Sequence, residues 1–319
     1  MKSIKQVEPK PYYEVHKQND LLQARYELSE LALKLVSTVI SMVKKEDDLF
    51  QVYILKITDF KELAGLTGNS IYSNLENSLN ELMKAPITIH KDELHFLKFM
   101  WFASAEYKGA DGTLEIELSQ KIRPYLLELK GDYLSYEIKN ILSLKSGYII
   151  RLYELLKHEY NKVNNYTNNK VVALEDIDID EFKHMFAIPD SYSNNHIKER
   201  IIEPALIQLE EKTDIKFEIS YVKLGRAIKW LRFVVRENNP LHFDFLKDRK
   251  SFISHMRKNY VNRDVYEDLS NNMTLAISPK GHLYNKRNNL EYDKAKANKA
   301  WDSLYKMAKD DKLEVLKNI

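Results

Sequence analysis

The clearest change of hydrophobic rhythm in the chain falls between Ile177 and Arg236. In "DIDEFKHMFAI", Phe182, Met185, Phe186 and Ile188 share one helical face behind acidic residues that suit a helix start. Pro189 and Asp190 predict its end. A second helix opens with cap-type residues in "SYSNNHIKERIIEPALIQLEEKT" and is expected to turn Ile197, Ile201, Ala205, Ile207 and Leu209 inward. That leaves Asn194, Asn195, Lys198, Glu199 and Arg200 facing outward near its N-terminus. "IKFEISYVKL" then alternates as a half-buried strand, Gly225 supplies a turn, and "AIKWLRFVV" returns as its partner.

The same order of elements occurs earlier in the chain. Residues 1–18 read as an unpacked arm. A cap at Asn19 or Ser29 precedes a helix with Leu31, Leu35, Val36, Val39, Ile40 and Met42 on its core face. "FQVYILKIT" reads as a strand, "TDFKELAGL" as a short helix capped at Thr58, and Gly65 and Gly68 as a turn. "NSIYSNLENSLNELMKAP" follows as a longer helix closed by Pro86. The strands "ITIHKD", "ELHFLKFMWFASAEYK" and, after a "GADG" turn, "GTLEIELS" complete the set. "TDFKEL" beside "DEFKHM" sharpens the parallel, and the two stretches read as an internal duplication.

A helix with Tyr148, Leu152, Leu155 and Leu156 inward runs to about Tyr160, and the polar "NKVNNYTNNK" after it marks a module boundary. Past Arg236 come a Lys- and Arg-rich helix through "VYEDL", a hairpin turned at Lys280 and Gly281, and a final helix. The expected architecture is α+β: an arm over 1–18, winged-helix modules over 19–165 and 166–238, and a small C-terminal α/β appendage over 239–319.

Helix, turn, helix and hairpin is the winged-helix plan, in which the second helix enters the major groove and the hairpin touches backbone or minor groove. A competing reading is that any small α+β domain offers a polar helix face and a basic hairpin. The duplication favours DNA, because two equally placed helices match two successive groove faces. Between Val222 and Arg236 there are five basic residues and no acidic one, so Lys223, Arg226 and Lys229 are expected on phosphates. Trp230 is assigned to packing. The corresponding helix of the first module offers Asn69, Ser70, Tyr72, Ser73 and Asn74, with no Lys before Lys84. The second module is therefore expected to read bases and the first to position the protein.

Composition narrows the picture further. A chain of 319 residues with 44% hydrophobic content can build two or three compact cores. Its net charge of +2 requires any DNA contact to come from local clustering. Cysteine is absent, which removes disulfides, thiolate chemistry and Cys-based zinc sites and fits a reducing cytoplasm. No export signal or run of eighteen apolar residues is present, so a cytoplasmic protein without membrane contact is expected. A rolling-circle nicking enzyme needs two His flanking an apolar residue, a spacing that His90 and His95 lack. "GLTGNS" lacks the Lys of a phosphate loop. Asp176, Asp178 and Asp180 suit helix capping better than a calcium loop, which would need a Gly and a distal Glu. The expectation is a binding protein with no catalytic residue, metal or cofactor.

At these residues a family resemblance enters. "NDLLQARYELSELALKLV", "IRPYLLELKGDYLSYEIKNILSLKSGYIIRLYELLKHE", the helix from His196 to Leu209 and "KLGRAIKWLRF" together resemble the replication initiators of iteron-containing theta plasmids, of RepE, RepA and Pi type. The resemblance covers about Asn19 to Arg236. It implies two tandem winged helices, monomer binding to directly repeated origin iterons, and autorepression at an operator as a homodimer. It also implies a host helicase and a host initiator as partners. Lys198 and Arg200 fall on basic recognition-helix positions of that family and Arg226 on its wing. Glu199 departs from relatives that are basic there. A glutamate can accept from a cytosine amino group or pair with a neighbouring cation. The alternative function is a winged-helix transcriptional regulator or phage replication accessory protein.

Overall fold

The computed structural model describes residues 4–6, 8–44, 52–66, 71–90, 92, 94–129, 133–167, 170–238, 249–261, 264–268 and 273–309. The first module runs β1 (Ile4–Gln6), β2 (Glu14–Gln18), α1 (Asn19–Gln23), α2 (Glu30–Ser41), β3 (Val52–Lys56), α3 (Ile57–Leu63) and α4 (Ile71–Lys84). It continues through β4 (Ile87–His90), β5 (Phe96–Phe99), β6 (Phe102–Lys108), β7 (Thr113–Leu118), α5 (Arg123–Leu126), β8 (Tyr133–Glu137), α6 (Lys139–Leu142) and α7 (Gly147–Thr167). Its strands form a sheet of order β1-β3-β7-β6 and two pairs, β2-β8 and β4-β5.

At its centre lies α2, with every residue from Ala32 to Ser41 buried. Such a helix must satisfy its polar side chains internally. Thr38 Oγ1 donates to the Lys34 carbonyl at 2.7 Å, and Lys34 meets Glu30 at 2.6 Å. Of the two expected caps the chain uses Ser29, whose Oγ accepts from the Ala32 N–H at 3.3 Å. Packed near it is α7, where Gly147 is required because a Cβ there would meet the Leu28 carbonyl at 2.6 Å.

The expected unpacked arm over 1–18 is corrected. Residues 14–18 form β2, paired antiparallel with β8 from Glu14↔Glu137 to Gln18↔Tyr133. Val15 and Lys17 are fully buried. Lys17 Nζ meets Glu154 Oε1 at 2.6 Å, and the Tyr136 hydroxyl donates to the same oxygen at 2.5 Å. Burial, and then the Glu154 carboxylate, push the Tyr136 phenol well above its ordinary range, so it stays a donor. A charged residue in a short N-terminal stretch reads as solvated. Its counter-ion stands 137 residues away in sequence.

The second module comprises β9 (Val171–Ala173), β10 (Ile177–Asp178), α8 (Ile179–Met185), α9 (Asn194–Ile197), a π turn (Lys198–Ile202), α10 (Glu203–Lys212), β11 (Ile215–Leu224) and β12 (Ala227–Glu237). Its sheet has the order β10-β12-β11, with β9 also on β12. The duplication is visible at matching positions: Ile57 and Phe60 on α3, like Ile179 and Phe182 on α8, are buried. α7 continues to Thr167, past the expected end near Tyr160, so the first seven residues of "NKVNNYTNNK" are helical. α8 ends at Met185, earlier than Pro189, and the left-handed Ala187 (φ 50°) follows its cap residue Phe186. The long strand expected over "ELHFLKFMWFASAEYK" is two, β5 and β6, in different sheets, and Trp101 between them is fully buried.

Residues up to Asn239 form one compact unit, and Pro240–Ile319 form another. The second unit contains α11 (Arg249–Asn259), β13 (Asp264–Asp268), β14 (Met273–Ile277), β15 (Leu283–Asn285), β16 (Leu290–Glu291) and α12 (Lys294–Lys309), with strands in sequence order. Its own core includes Phe252, Met256, Leu275, Leu283 and Trp301. "VYED", expected to continue the basic helix, is instead β13, paired with β14.

Lys17→Ala leaves the buried Glu154 carboxylate without its cation. Unfolding in urea should show a loss of about 3–5 kcal/mol. A loss below about 1 kcal/mol, the usual worth of a surface pair, would return residues 14–18 to the status of an arm.

Candidate nucleic-acid interface

The second helix of the second module is interrupted where its polar face begins. Pro204 lacks an N–H and cannot continue the i→i−4 ladder. The Glu203 N–H reaches back five residues to the Lys198 carbonyl, which opens the π turn. One extra residue in the turn lets Lys198, Glu199 and Arg200 all be exposed in succession while Ile201 and Ile202 are both buried. Ile207, expected to face inward, is corrected: it is 60% exposed. It stands two residues from the buried Ala205 and Leu209, on the opposite side of the helix.

The start of this helix is fixed by a reciprocal cap. Ser193 Oγ accepts from the His196 N–H, and His196 Nδ1 accepts from the Ser193 N–H, each at 3.3 Å. Arg200 lies 5.3 Å over the Tyr192 ring and donates from Nη1 to its hydroxyl at 3.4 Å. That stacking holds a planar guanidinium near one orientation with its remaining donors outward. Tyr192 was missed in the sequence, where its only signal is its place just before the cap. Glu199 accepts from Asn195 Nδ2 at 2.7 Å, and Lys198 is 3.7 Å from Glu203. Asn194 is half-buried.

The hairpin β11–β12 turns at Gly225, whose φ of +65° favours glycine. Lys223 and Arg226 beside it are exposed, with no ion-pair partner among the described residues. Lys229 is different, and the expectation of a basic hairpin without acidic neighbours is corrected there. Strand β10 lies against β12 and brings Asp178 to 2.6 Å from Lys229 Nζ, and Asp180 in the first turn of α8 stands 3.5 Å from it. Arg232 forms a two-pronged pair with Asp176, both contacts 2.8 Å, and Arg236 meets Glu218 at 3.1 Å. The Lys229 and Arg232 hydrogen bonds hold Asp178 and Asp176 below the usual carboxylate range, and in return those bonds raise the two cations. Trp230, set aside as packing, is half-buried.

In the first module, Asn69 and Ser70 lie outside the described residues. Tyr72 stands in the first turn of α4, and Ser73 and Asn74 are exposed there, while Leu75, Ser78 and Leu82 face the core. The hairpin β4–β5 occupies the wing position. Among the described residues no group of His, Asp and Glu could hold a metal ion. No helix among them is long and apolar enough to cross a membrane.

Two helix-turn-helix elements, each followed by a hairpin and packed on one core, define a tandem winged-helix protein. Residues 14–157 match the family described as "Initiator Replication protein, WH1", and residues 178–235 match "Initiator Rep protein, WH2". The chain belongs to this family of replication initiators. It is 25% identical over 231 residues to a replication initiation protein of Escherichia coli, covering 69% of each chain. It is 26% identical over 242 residues to an uncharacterized 27.6 kDa protein of Escherichia coli, covering 71% of this chain and 96% of that one. Among solved structures it resembles the Pi initiator protein, crystallised in complex with iteron DNA, with a TM-score of 0.60 and 19% identity. That likeness covers 72% of this chain and 99% of the other.

The wing pairs have a defined pH dependence. Because Asp176 and Asp178 are lowered in the fold, their contribution is present above the ordinary carboxylate pKa and is lost as pH falls through the lowered values. Thermal melts should therefore show declining stability below about pH 4. The double variant Asp176→Asn, Asp178→Asn should flatten that decline, and an unchanged profile would show that other carboxylates govern it.

Proposed function

We propose that this chain initiates replication of a plasmid by binding repeated duplex sites, iterons, at its origin. The observation that carries this reading is Arg200, exposed at the start of the second-module helix and held over Tyr192, on a chain of the initiator family. An arginine fixed in a plane suits bidentate contact with a guanine edge. Asn195 and Glu199 are bonded to each other, so they present one joint acceptor and donor surface rather than two independent readers. Lys223 and Arg226 contact phosphates. The polar start of α4, including Tyr72, Ser73 and Asn74 with the preceding Asn69 and Ser70, positions the first module on the neighbouring groove. The protein acts by binding, without catalysis of its own. It engages direct repeats as a monomer and its operator as a dimer, and host helicase is recruited to the opened origin.

Arg200→Ala should narrow the gap between repeat-containing and random duplex by about 1–3 kcal/mol. Equal losses on both DNAs would make Arg200 a phosphate contact. Arg226→Ala should lower the slope of log affinity against log salt by about one unit. Lys229→Ala should leave that slope nearly unchanged, since its charge is already matched by Asp178 and Asp180.

One chain should also cover two major-groove segments about 10 to 10.5 base pairs apart on one face of the duplex. Footprinting with mass measurement of the complex tests this on a single repeat lacking an internal palindrome. A footprint of one turn per chain, or a strict requirement for two chains on the direct repeat, would instead favour an ordinary dimeric regulator.

A further inference from the structure

The unit that carries both winged helices is poorly supplied with net positive charge for a DNA-binding body. Residues 1–239 contain 33 Lys and Arg against 36 Asp and Glu, a net charge of −3. Three of the five hairpin cations are spent on acidic side chains within the fold, and Lys198 stands near Glu203. Specific duplex binding in physiological salt typically neutralises about 6–10 phosphates. Residues 240–319 have the opposite balance, 16 Lys and Arg against 11 Asp and Glu, a net charge of +5.

That excess is not spread evenly over the second unit. In the turn after β15, Lys286 is paired with Asp264 at 2.9 Å and Arg287 with Glu267 at 2.7 Å, whereas Lys280 at the β14–β15 turn and Lys250 on α11 are exposed. On α11, Arg249 is bonded to Asp302, and Arg257 lies 5.7 Å over the Trp301 ring. By contrast Lys296, Lys299 and Lys306 on α12 are exposed, and among the described residues no carboxylate is within ion-pair distance of any of them. With Ser303 they recur at intervals of three, four and three residues, which places them on one face of the helix. The buried Trp301, Leu304 and Ala308 fix that helix by its other side. Lys296 is further oriented by the Tyr292 ring, 4.5 Å from its Nζ.

We propose that this face of α12 is a third, sequence-independent contact to the phosphate backbone of duplex DNA. It supplies the counter-charge that the winged-helix unit lacks. The proposal rests on the DNA-binding reading above but assigns a role to residues outside both family matches. A row of like charges without a hydrogen-bonding fork holds phosphates as point charges and carries no base readout. It therefore raises affinity for repeat and random duplex alike.

The test is made on the full chain with K296Q, K299Q and K306Q combined, against repeat-containing and random duplex over a range of salt. The expected result is a slope of log affinity against log salt reduced by about 2 to 3 units, from about 0.9 per phosphate, on both DNAs. The ratio of specific to random affinity should stay unchanged. The corresponding triple Lys→Arg variant should retain the original slope, which separates charge from folding. An unchanged slope in the Gln variant would overturn the proposal, including the outcome in which the face serves an acidic protein instead. So would loss confined to the repeat-containing duplex. The Arg226→Ala variant, run alongside, separates the two readings. If its slope falls while that of the triple variant does not, only the third contact fails. If neither changes, the DNA-binding assignment of the wing fails as well.

Discussion

The guanidinium of Arg151 is the contact on which the arrangement of the two winged helices turns. It is buried on α7, donates to the carbonyls of Tyr26 at 2.8 Å, Ala24 at 2.9 Å and Leu22 at 3.3 Å, and lies 4.0 Å over the Tyr26 ring. The Phe186 ring of the second module is 5.2 Å from it. The last turn of α1 and the stretch after it present these carbonyls where no helix continues, and a planar fork of donors satisfies several of them at once. A lysine there would offer charge without the fork.

Around that contact α7 serves as a common spine. One turn on, Glu154 anchors Lys17 and Tyr136 of the first module. On another face Tyr153 and Lys157 both reach Asp214 of the second, at 2.9 and 2.7 Å, while Asn140 accepts from the Asp214 N–H at 3.1 Å. Arg25 adds a bond to the His184 carbonyl. The two modules thus share one hydrophobic core and one polar seam. On the proposed reading, two helices held in this way would meet DNA in a fixed relation, which makes spacing along the duplex part of what is recognised.

The same pairing separates cations matched within the fold from cations left at the surface. Arg232 and Lys229 tie β12 to the segment that leads into α8, so the hairpin is braced against the helix-turn-helix at its base. Lys223 and Arg226 at the tip are left to solvent. The π turn has a comparable effect on the helix: a proline that breaks the ladder also sets three successive polar side chains outward, at the cost of a regular hydrogen-bond register.

Much of this was legible in the chain. The periodicity of "DEFKHM" and "TDFKEL", the Ser and Asn caps, the alternating hairpin and the Gly225 turn are local properties, and local sterics and hydrophobic spacing determined the two winged helices in order. What periodicity could not supply is any relation between residues distant in sequence. Lys17 looked solvated because Glu154 is far along the chain. Lys229 looked free because Asp178 arrives from another strand. Ile207 looked buried because apolar character alone does not record which side of a helix a residue occupies. The helices and hairpins of the two winged helices were therefore mostly written in the sequence, whereas the tertiary structure decided the pairing of β2, the split of β5 from β6, and which charges are neutralised, because pairing depends on proximity in space.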